Sequence, residues 1–429
     1  MTDRIIQVDA LARVEGEGAL YVQLRGGVVE KVEFRIFEPP RFFEAFLRGR
    51  DALETPDITS RICGICPIAY IMSACQSIEM ALGIGVTPEI DALRRLIYCG
   101  EWIQSHTLHA VMLHAPDFLG LDDAIQIAQS HPDLVRTGLR LKKIGNSLME
   151  CIGGRAVHPV NTRVGGFYRA PDREAVRALV PELEWGAHAA RDLALAFARF
   201  DFPDDDFDYT FVSLIHPEVY PILEGRIGSN RGLDIAVADF NDHFVEEHVA
   251  RSTALHGRMR DGSAYLVGPL ARYANNFDRL TPDCQATARE AGLGPVVRNP
   301  FKSILVRLIE VQYACEEAAR LARAYTPPDP AFVEAPARAG VGHGCTEAPR
   351  GICYHSYRLD AEGRIEHAQI VPPTSQNQPQ IEADLARVVA NNLDLPDKDL
   401  KWLCEQTIRN YDPCISCSTH FLKLQVDRV

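Results

Sequence analysis

The 429-residue chain has no uninterrupted apolar run that approaches the ~20 residues of a spanning helix, so the sequence argues against a helical membrane protein. It also lacks an excess of positive charge. Asp and Glu outnumber Lys and Arg 58 to 45, and a net charge of −13 argues against nucleic acid or an anionic membrane surface as partner. There is no internal repeat and no low-complexity segment. No signal-peptide pattern opens the chain, since Met1-Thr2-Asp3-Arg4 runs straight into strand-like sequence. The glycine pairs Gly153-Gly154 and Gly165-Gly166 invite a phosphate-loop reading. Neither is accompanied by Gly-x-Gly-x-x-Gly or Gly-Lys-Ser/Thr, so no nucleotide site is expected. The 12 cysteines lack the dense spacing of a small disulfide-framed domain and read as reduced thiols of a cytosolic protein. With 46% hydrophobic and 24% charged residues, the chain can bury a large core. Its length allows two or three domains or one large one.

Four cysteines stand out as two Cys-x-x-Cys pairs near opposite ends, Cys63-Gly64-Ile65-Cys66 and Cys414-Ile415-Ser416-Cys417. Brought together, they make a four-thiolate site for a soft or borderline transition metal. Spacing alone leaves a structural zinc knot, a dithiol redox pair and four unrelated buried cysteines open. A zinc knot usually closes a small module whose pairs are about 15–20 residues apart. Here nearly the whole chain lies between the pairs, so a metal would sit where the two ends of a large domain meet.

The residues around the pairs carry more. Arg61-Ile62-Cys63-Gly64-Ile65-Cys66 and Asp412-Pro413-Cys414-Ile415-Ser416-Cys417-Ser418-Thr419-His420 resemble the two signature motifs of NiFe hydrogenase large subunits. Further likenesses cover essentially the whole chain: Arg13-Val14-Glu15-Gly16, Phe43-Glu44 with Gly49-Arg50-Asp51, Ala348-Pro349-Arg350-Gly351, and Ile370-Val371-Pro372-Pro373-Thr374, where Gln376 stands in place of the family's aromatic. Tyr70 replaces a histidine found in many relatives. With the chain length and the Asn410-Tyr411-Asp412 approach to the second pair, it looks most like the cytosolic NAD(P)-linked sulfhydrogenase group.

The resemblance implies a NiFe(CN)2CO centre. Nickel would take all four thiolates, Cys63 and Cys414 binding nickel alone and Cys66 and Cys417 also bridging to iron, which suits soft thiolate chemistry. It implies Mg2+ (or Fe2+) held by Glu44, the Ile370 carbonyl and His420, and a hydroxyl at Thr374 that bonds a cyanide. The implied reaction is reversible heterolytic cleavage of H2, with Cys414 taking the first proton and Glu15 relaying it. Asp117, Arg350 and Asp412 would form a polar canopy over the site. Implied partners are an iron–sulfur small subunit and flavin and NAD(P)-handling diaphorase subunits. Removal of Phe421–Val429 after His420 is also implied. Without the resemblance, Glu15 reads as a solvent-facing strand carboxylate, Glu44 as an ion pair with Arg41 or Arg48, Asp117 as a helix-terminal residue and Arg350 as a buried ion pair. A four-cysteine zinc protein and a complex-I-like quinone scaffold are the rival functions. The four retained cysteines disfavour the scaffold.

For the fold, patterning predicts a mainly α chain with α+β additions: a bundle of long helices with a small N-terminal antiparallel sheet, one domain over residues 1–429. Alternation over residues 4–37, with a turn at Arg25-Gly26-Gly27, gives the sheet region of residues 1–60. A helical core spans 61–200. It includes a helix after Cys66, and another capped by Thr87-Pro88 that runs to Asp117. Two more helices are expected at 122–150 and 172–200. His106, His109 and His114 are spaced too unevenly to share one narrow helical face, so they read as core or interface histidines. A strand- and loop-rich insertion covers 201–298. Helices near 302–325 and 381–393, and one before Tyr411, lead to the C-terminal metal-binding segment of 299–429. The remaining eight cysteines read as structural.

Overall fold

The computed structural model describes residues 3–419. The N-terminal alternation forms an antiparallel sheet of Arg4–Val8, Gly18–Arg25 and Val28–Ile36, in that spatial order. Leu20, Val22 and Leu24 are buried on one face, as a period of two requires. The Pro67–Leu82 helix starts directly after Cys66, with proline in its first turn, and Gly83 ends it in the left-handed conformation.

The bundle is built on Pro88–Thr107, which packs against Pro132–Gly153 and Ser303–Ala324; the last also lies along Val180–Phe197. Thr87 caps the first of these by accepting from Ile90 N–H, as its sequence suggested. The continuous helix expected as far as Asp117 instead passes through a π-helical turn, Leu108–His114, before a short helix Ala115–Leu119. The wider turn suits an i, i+5 pair: His109 and His114 meet with ring centroids 5.0 Å apart, tilted by 44°. Prolines divide the two helices expected next, leaving Ala124–Ser130 before Pro132–Gly153 and Arg173–Arg177 before Val180–Phe197. None of the described helices is long and apolar enough to cross a membrane.

The insertion holds a three-stranded sheet (Val212–Ile215, Arg226–Ser229, Asp234–Ile235) and a hairpin (Phe244–His248 with Leu255–Met259). It also holds the helices Phe240–His243, Pro269–Asn276 and Pro282–Glu290.

Sequence patterning gives no hint of the antiparallel sheet Gly340–Ala348, Gly351–Leu359 and Ile365–Val371. Its middle strand is buried at every position but Arg358, so polar and apolar residues do not alternate along it. The edge strand lies directly on the Pro67–Leu82 helix. A Cβ at Gly342 would fall 1.8 Å from the Ser77 carbonyl oxygen, so only glycine permits this approach. The sheet leads through Pro373–Asn391, a helix that begins earlier than expected, and Asp397–Arg409 back to the second cysteine pair.

Candidate metal centre

Cys63 sits in the loop between Thr55–Ser60 and the Pro67–Leu82 helix, and its Sγ accepts from the Ile65 and Cys66 N–H groups at 3.3 and 3.2 Å. Such donors and the helix N-terminus beyond them favour negative charge on sulfur. Glu101, fully buried on the Pro88–Thr107 helix, accepts from the Ile68 and Ala69 N–H groups and pins the start of the helix that follows Cys66. The sequence reading overlooked Glu101, although a lone carboxylate in an apolar stretch is the signal that could have found it.

In the second pair Cys414 precedes and Cys417 lies in a short 3-10 turn, Ser416–Ser418, and the pair's partners come from far along the chain. Ile415 N–H donates to the Glu15 carbonyl at 2.9 Å in a parallel bridge that pairs Glu15 with Cys414. Gly16, at φ 90°, makes this contact possible, since a Cβ there would lie 2.6 Å from the Ile415 side chain. Thr374 Oγ1 accepts from Cys414 N–H at 3.0 Å. Arg41 clamps both loops by donating to the carbonyls of Ile62 and Ser416. Arg41, one of the two arginines that could have paired with Glu44, is committed here instead.

The four sulfurs converge. Their ligand atoms all lie within 4.8 Å of one another, with Cys63–Cys414 at 3.5 Å, Cys66–Cys417 at 3.7 Å and Cys414–Cys417 at 2.7 Å. All four residues are buried. Burial pushes the Cys414 thiol well above its ordinary range, and bonds to the neighbouring thiols push it further. Cys63 goes the other way: burial opposes its ionisation, but bonds to Cys414, Cys417 and Cys66 and the charge of Arg350 outweigh it. Without a cation so many close thiols cannot all ionise, whereas a bound metal takes the place of the protons. The donor set therefore fits a thiolate-bound transition metal.

Glu15 Oε2 lies 3.2 Å from Cys414 Sγ and accepts from Ser416 N–H at 3.0 Å. It is a site carboxylate, not a solvent-facing strand residue. Arg350 donates from Nε to the Asp412 carbonyl (2.7 Å) and from Nη2 to Asp412 Oδ1 (3.1 Å). Ser105, which the sequence reading did not single out, faces the same guanidinium at 3.4 Å. Burial works against the Arg350 charge, but Asp412 and the thiols of Cys414, Cys66 and Cys63 more than offset it. The segment is anchored from behind by Arg272, which binds Glu310 at 2.8 Å, Glu347 at 2.6 Å and the Ala348 carbonyl at 2.9 Å.

Asp117 is placed differently from the canopy expectation. Its carboxylate accepts from Arg13 (2.6 Å) and from Arg409 Nε and Nη2 (2.8 and 2.7 Å). It bonds neither Arg350 nor a cysteine; two guanidiniums already saturate it. Arg13 and Asp412, which flank the site, both adopt positive φ (61° and 52°), a costly backbone state that collects at functional sites. Tyr70 is buried with no hydrogen-bond partner for its hydroxyl among the described residues, and its ring is 5.7 Å from that of His355.

The structure also brings Glu44 and Ile370 together: Ile370 N–H donates to Glu44 Oε1 at 2.7 Å. Burial raises the Glu44 carboxyl to about 7. Glu246, missed in the sequence, lies near enough to repel it, and burial followed by that repulsion lifts Glu246 to about 8. Two such carboxylates beside a carbonyl-bearing strand suit a hard cation. His420 and the segment Phe421–Val429 lie outside the described residues.

With this geometry in hand, comparisons with known proteins agree. The family model described as nickel-dependent hydrogenase matches residues 41–137 and 261–420. Sulfhydrogenase 1 subunit alpha of Pyrococcus furiosus is 31% identical over 428 residues, covering 98% of each chain. The NAD-reducing hydrogenase HoxS subunit beta of Cupriavidus necator is 25% identical, over 98% of this chain and 95% of its own. A crystal structure of an NAD+-reducing [NiFe]-hydrogenase in the H2-reduced state superposes with a TM-score of 0.87 at 25% identity, covering 97% of this chain and 99% of that one. The fold is that of NiFe hydrogenase large subunits, and the chain belongs to the nickel-dependent hydrogenase family.

Proposed function

We propose that this chain is the catalytic large subunit of a NiFe hydrogenase that reversibly cleaves H2 into protons and electrons. The observation that carries the reading is the four-thiol cluster with Glu15 in contact with one of its sulfurs. Structural zinc needs the thiols but has no use for a carboxylate on one of them or for a buried guanidinium beside them.

Cys63, Cys66, Cys414 and Cys417 would hold the nickel–iron centre through their thiolates. When bound, this centre polarises H2 and accepts its electrons. The protein's own part is proton handling. Cys414 Sγ, 3.2 Å from Glu15 Oε2, is within proton-transfer reach, and Ser416 N–H holds that oxygen in place. Glu15 then passes the proton on. Arg350, fixed twice by Asp412, holds a positive charge against the thiols in a water-poor site, where it acts more strongly than in solvent. Thr374 accepts from Cys414 N–H and keeps its own O–H free to donate to a cyanide. Glu44 and the Ile370 carbonyl would hold Mg2+ or Fe2+, with Glu246 near Glu44.

Electrons have to leave the chain. Among the described residues the four cysteines form the metal-ligand cluster found, and no nucleotide loop is present in the sequence. We assign electron transfer to an iron–sulfur small subunit and, from the sulfhydrogenase and NAD-reducing relatives, onward transfer to flavin- and NAD(P)-handling subunits. Metal analysis with infrared spectroscopy of the purified complex tests the reading. Nickel and iron with CO and cyanide bands support it; stoichiometric zinc without those bands overturns it.

A further inference from the structure

Behind the Arg350–Asp412 pair lies a group of buried polar atoms that the protein leaves unpaired. Asp412 Oδ2, Arg307 Nε and both side-chain atoms of Asn410 have no hydrogen-bond partner among the described residues. The three residues are 3%, 1% and 2% exposed. Buried polar atoms in native proteins are nearly always satisfied, by protein or by ordered water. Arg307 uses Nη1 for Ser303 Oγ and the Asn410 carbonyl, which leaves Nε unpaired. Burial pulls the Arg307 guanidinium down to about 10, while Asp412 is the strongest influence holding it charged, yet no ion pair joins the two.

A cavity of about 20 Å3 opens at this place, and its lining includes Arg307, Asn410, Ser303, Asn377 and Tyr411. It has room for about one water. Its polar members supply a fixed cation, an amide that both donates and accepts, and a hydroxyl. That is the two-to-four-partner environment in which internal water is stable, not the apolar lining of a dry void. Protein side chains do not fill the role, because the neighbouring Leu266, Val267, Pro269 and Leu270 are apolar.

We propose that Arg307 and Asn410 hold one internal water in this cavity and that this water also serves Asp412 Oδ2, completing the carboxylate that keeps Arg350 aimed at the four thiols. Arg307 and Asn410 are then positioning residues for the canopy. Only this last link rests on the hydrogenase reading; the hydration itself does not.

The test uses the assembled, metal-loaded complex. A high-resolution crystal structure should show ordered water within hydrogen-bond distance of Asn410, Arg307 Nε and Asp412 Oδ2. Asn410→Leu puts apolar atoms of similar size in the cavity. It should remove that water, shift the CO and cyanide infrared bands at unchanged metal content, and lower H2 oxidation several-fold. Asn410→Ser keeps a polar group and leaves more room for water, and should retain the native bands. A dry cavity in the native enzyme, or native bands and undisturbed water in Asn410→Leu, overturns the proposal. If Asn410→Leu does not assemble, the native structure and Asn410→Ser still decide. A native protein with no CO or cyanide bands defeats the hydrogenase reading instead, and leaves the water to be judged from the crystal alone.

Discussion

The two halves of the thiol site are held in different ways. Cys63 and Cys66 belong to a loop–helix junction, where backbone N–H groups reach Cys63 Sγ and Glu101 fixes the helix start. Cys414 and Cys417 lie just before and within a single 3-10 turn held by residues remote in sequence: Glu15, Gly16, Thr374 and Arg41. The first pair is held by its own loop and helix start, with Glu101 and Arg41 as outside supports. The second exists only when the N-terminal strand region, the Pro373–Asn391 helix and the C-terminal turn have all come together. The chemistry sits on the second, since it is Cys414 that touches Glu15. An assembled half can bring a proton acceptor to a sulfur; a helix junction offers only fixed backbone donors.

The largest effect should come from breaking the thiol set on the assembled side. Cys414→Ser replaces a soft thiolate by a harder, poorer metal ligand. H2 turnover should be abolished, and nickel content measured in the same preparation should fall. Full turnover with normal metal content would refute the assignment.

Next in size is Glu15→Gln, which separates the two jobs of that residue. The amide oxygen can still accept from Ser416 N–H, and the backbone bridge to Ile415 is untouched, so the turn should hold. The titrating group is gone. Loss of a positioned proton-transfer residue typically costs about 10²–10⁴ in rate. H2 oxidation should drop by that order, with nickel, iron and the infrared bands kept. If metals and activity disappear together, Glu15 is a structural strut.

The same contrast explains what the sequence disclosed. Local motifs were legible, because Pro67 after Cys66 and Thr87-Pro88 are helix-start signals that act within one turn. Convergence of the two pairs was legible only through the family resemblance, since nothing within either motif specifies the other. What escaped was burial. The Gly340–Val371 sheet lost its alternation because both faces are covered, and Glu101 and Glu246 look like ordinary acidic residues until the fold encloses them. The partners of Asp117 were hidden for a related reason: Arg13 and Arg409 lie 104 and 292 residues away. Ser105, which does face Arg350, has a hydroxyl that carries no sequence signal of its own.

On the locally built side, Glu101→Ala should cost stability and leave the proton route in place. It strands the N–H groups of Ile68 and Ala69 in the core, at about 1–3 kcal/mol for each unsatisfied donor, and leaves a cavity besides. Denaturant unfolding should show the loss. Glu101→Gln, which keeps an acceptor oxygen, should recover part of it. Unchanged stability in Glu101→Ala would mean that the junction stands without this cap, and that the contrast between the two halves is overstated.

The smallest effect should be Thr374→Val, on the assembled side. Valine matches threonine in shape, so packing around the buried side chain is kept, and the change isolates one hydroxyl. Cys414 N–H loses its 3.0 Å acceptor and is left unsatisfied in a buried site, at about 1–3 kcal/mol. A stability loss of that size is a single-bond effect and should fall below that of Glu101→Ala, where two donors are stranded. Thr374→Ser restores the acceptor and should restore the stability. The infrared spectrum then separates two roles of one oxygen. If the hydroxyl only fixes Cys414, the cyanide bands of Thr374→Val should follow whatever small shift the turn makes. If it also donates to a cyanide, one band should move in Thr374→Val and return in Thr374→Ser. A Thr374→Val enzyme with native stability and native bands would show that the assembled half of the site does not depend on this contact, and that Glu15 and Arg41 suffice to hold the turn.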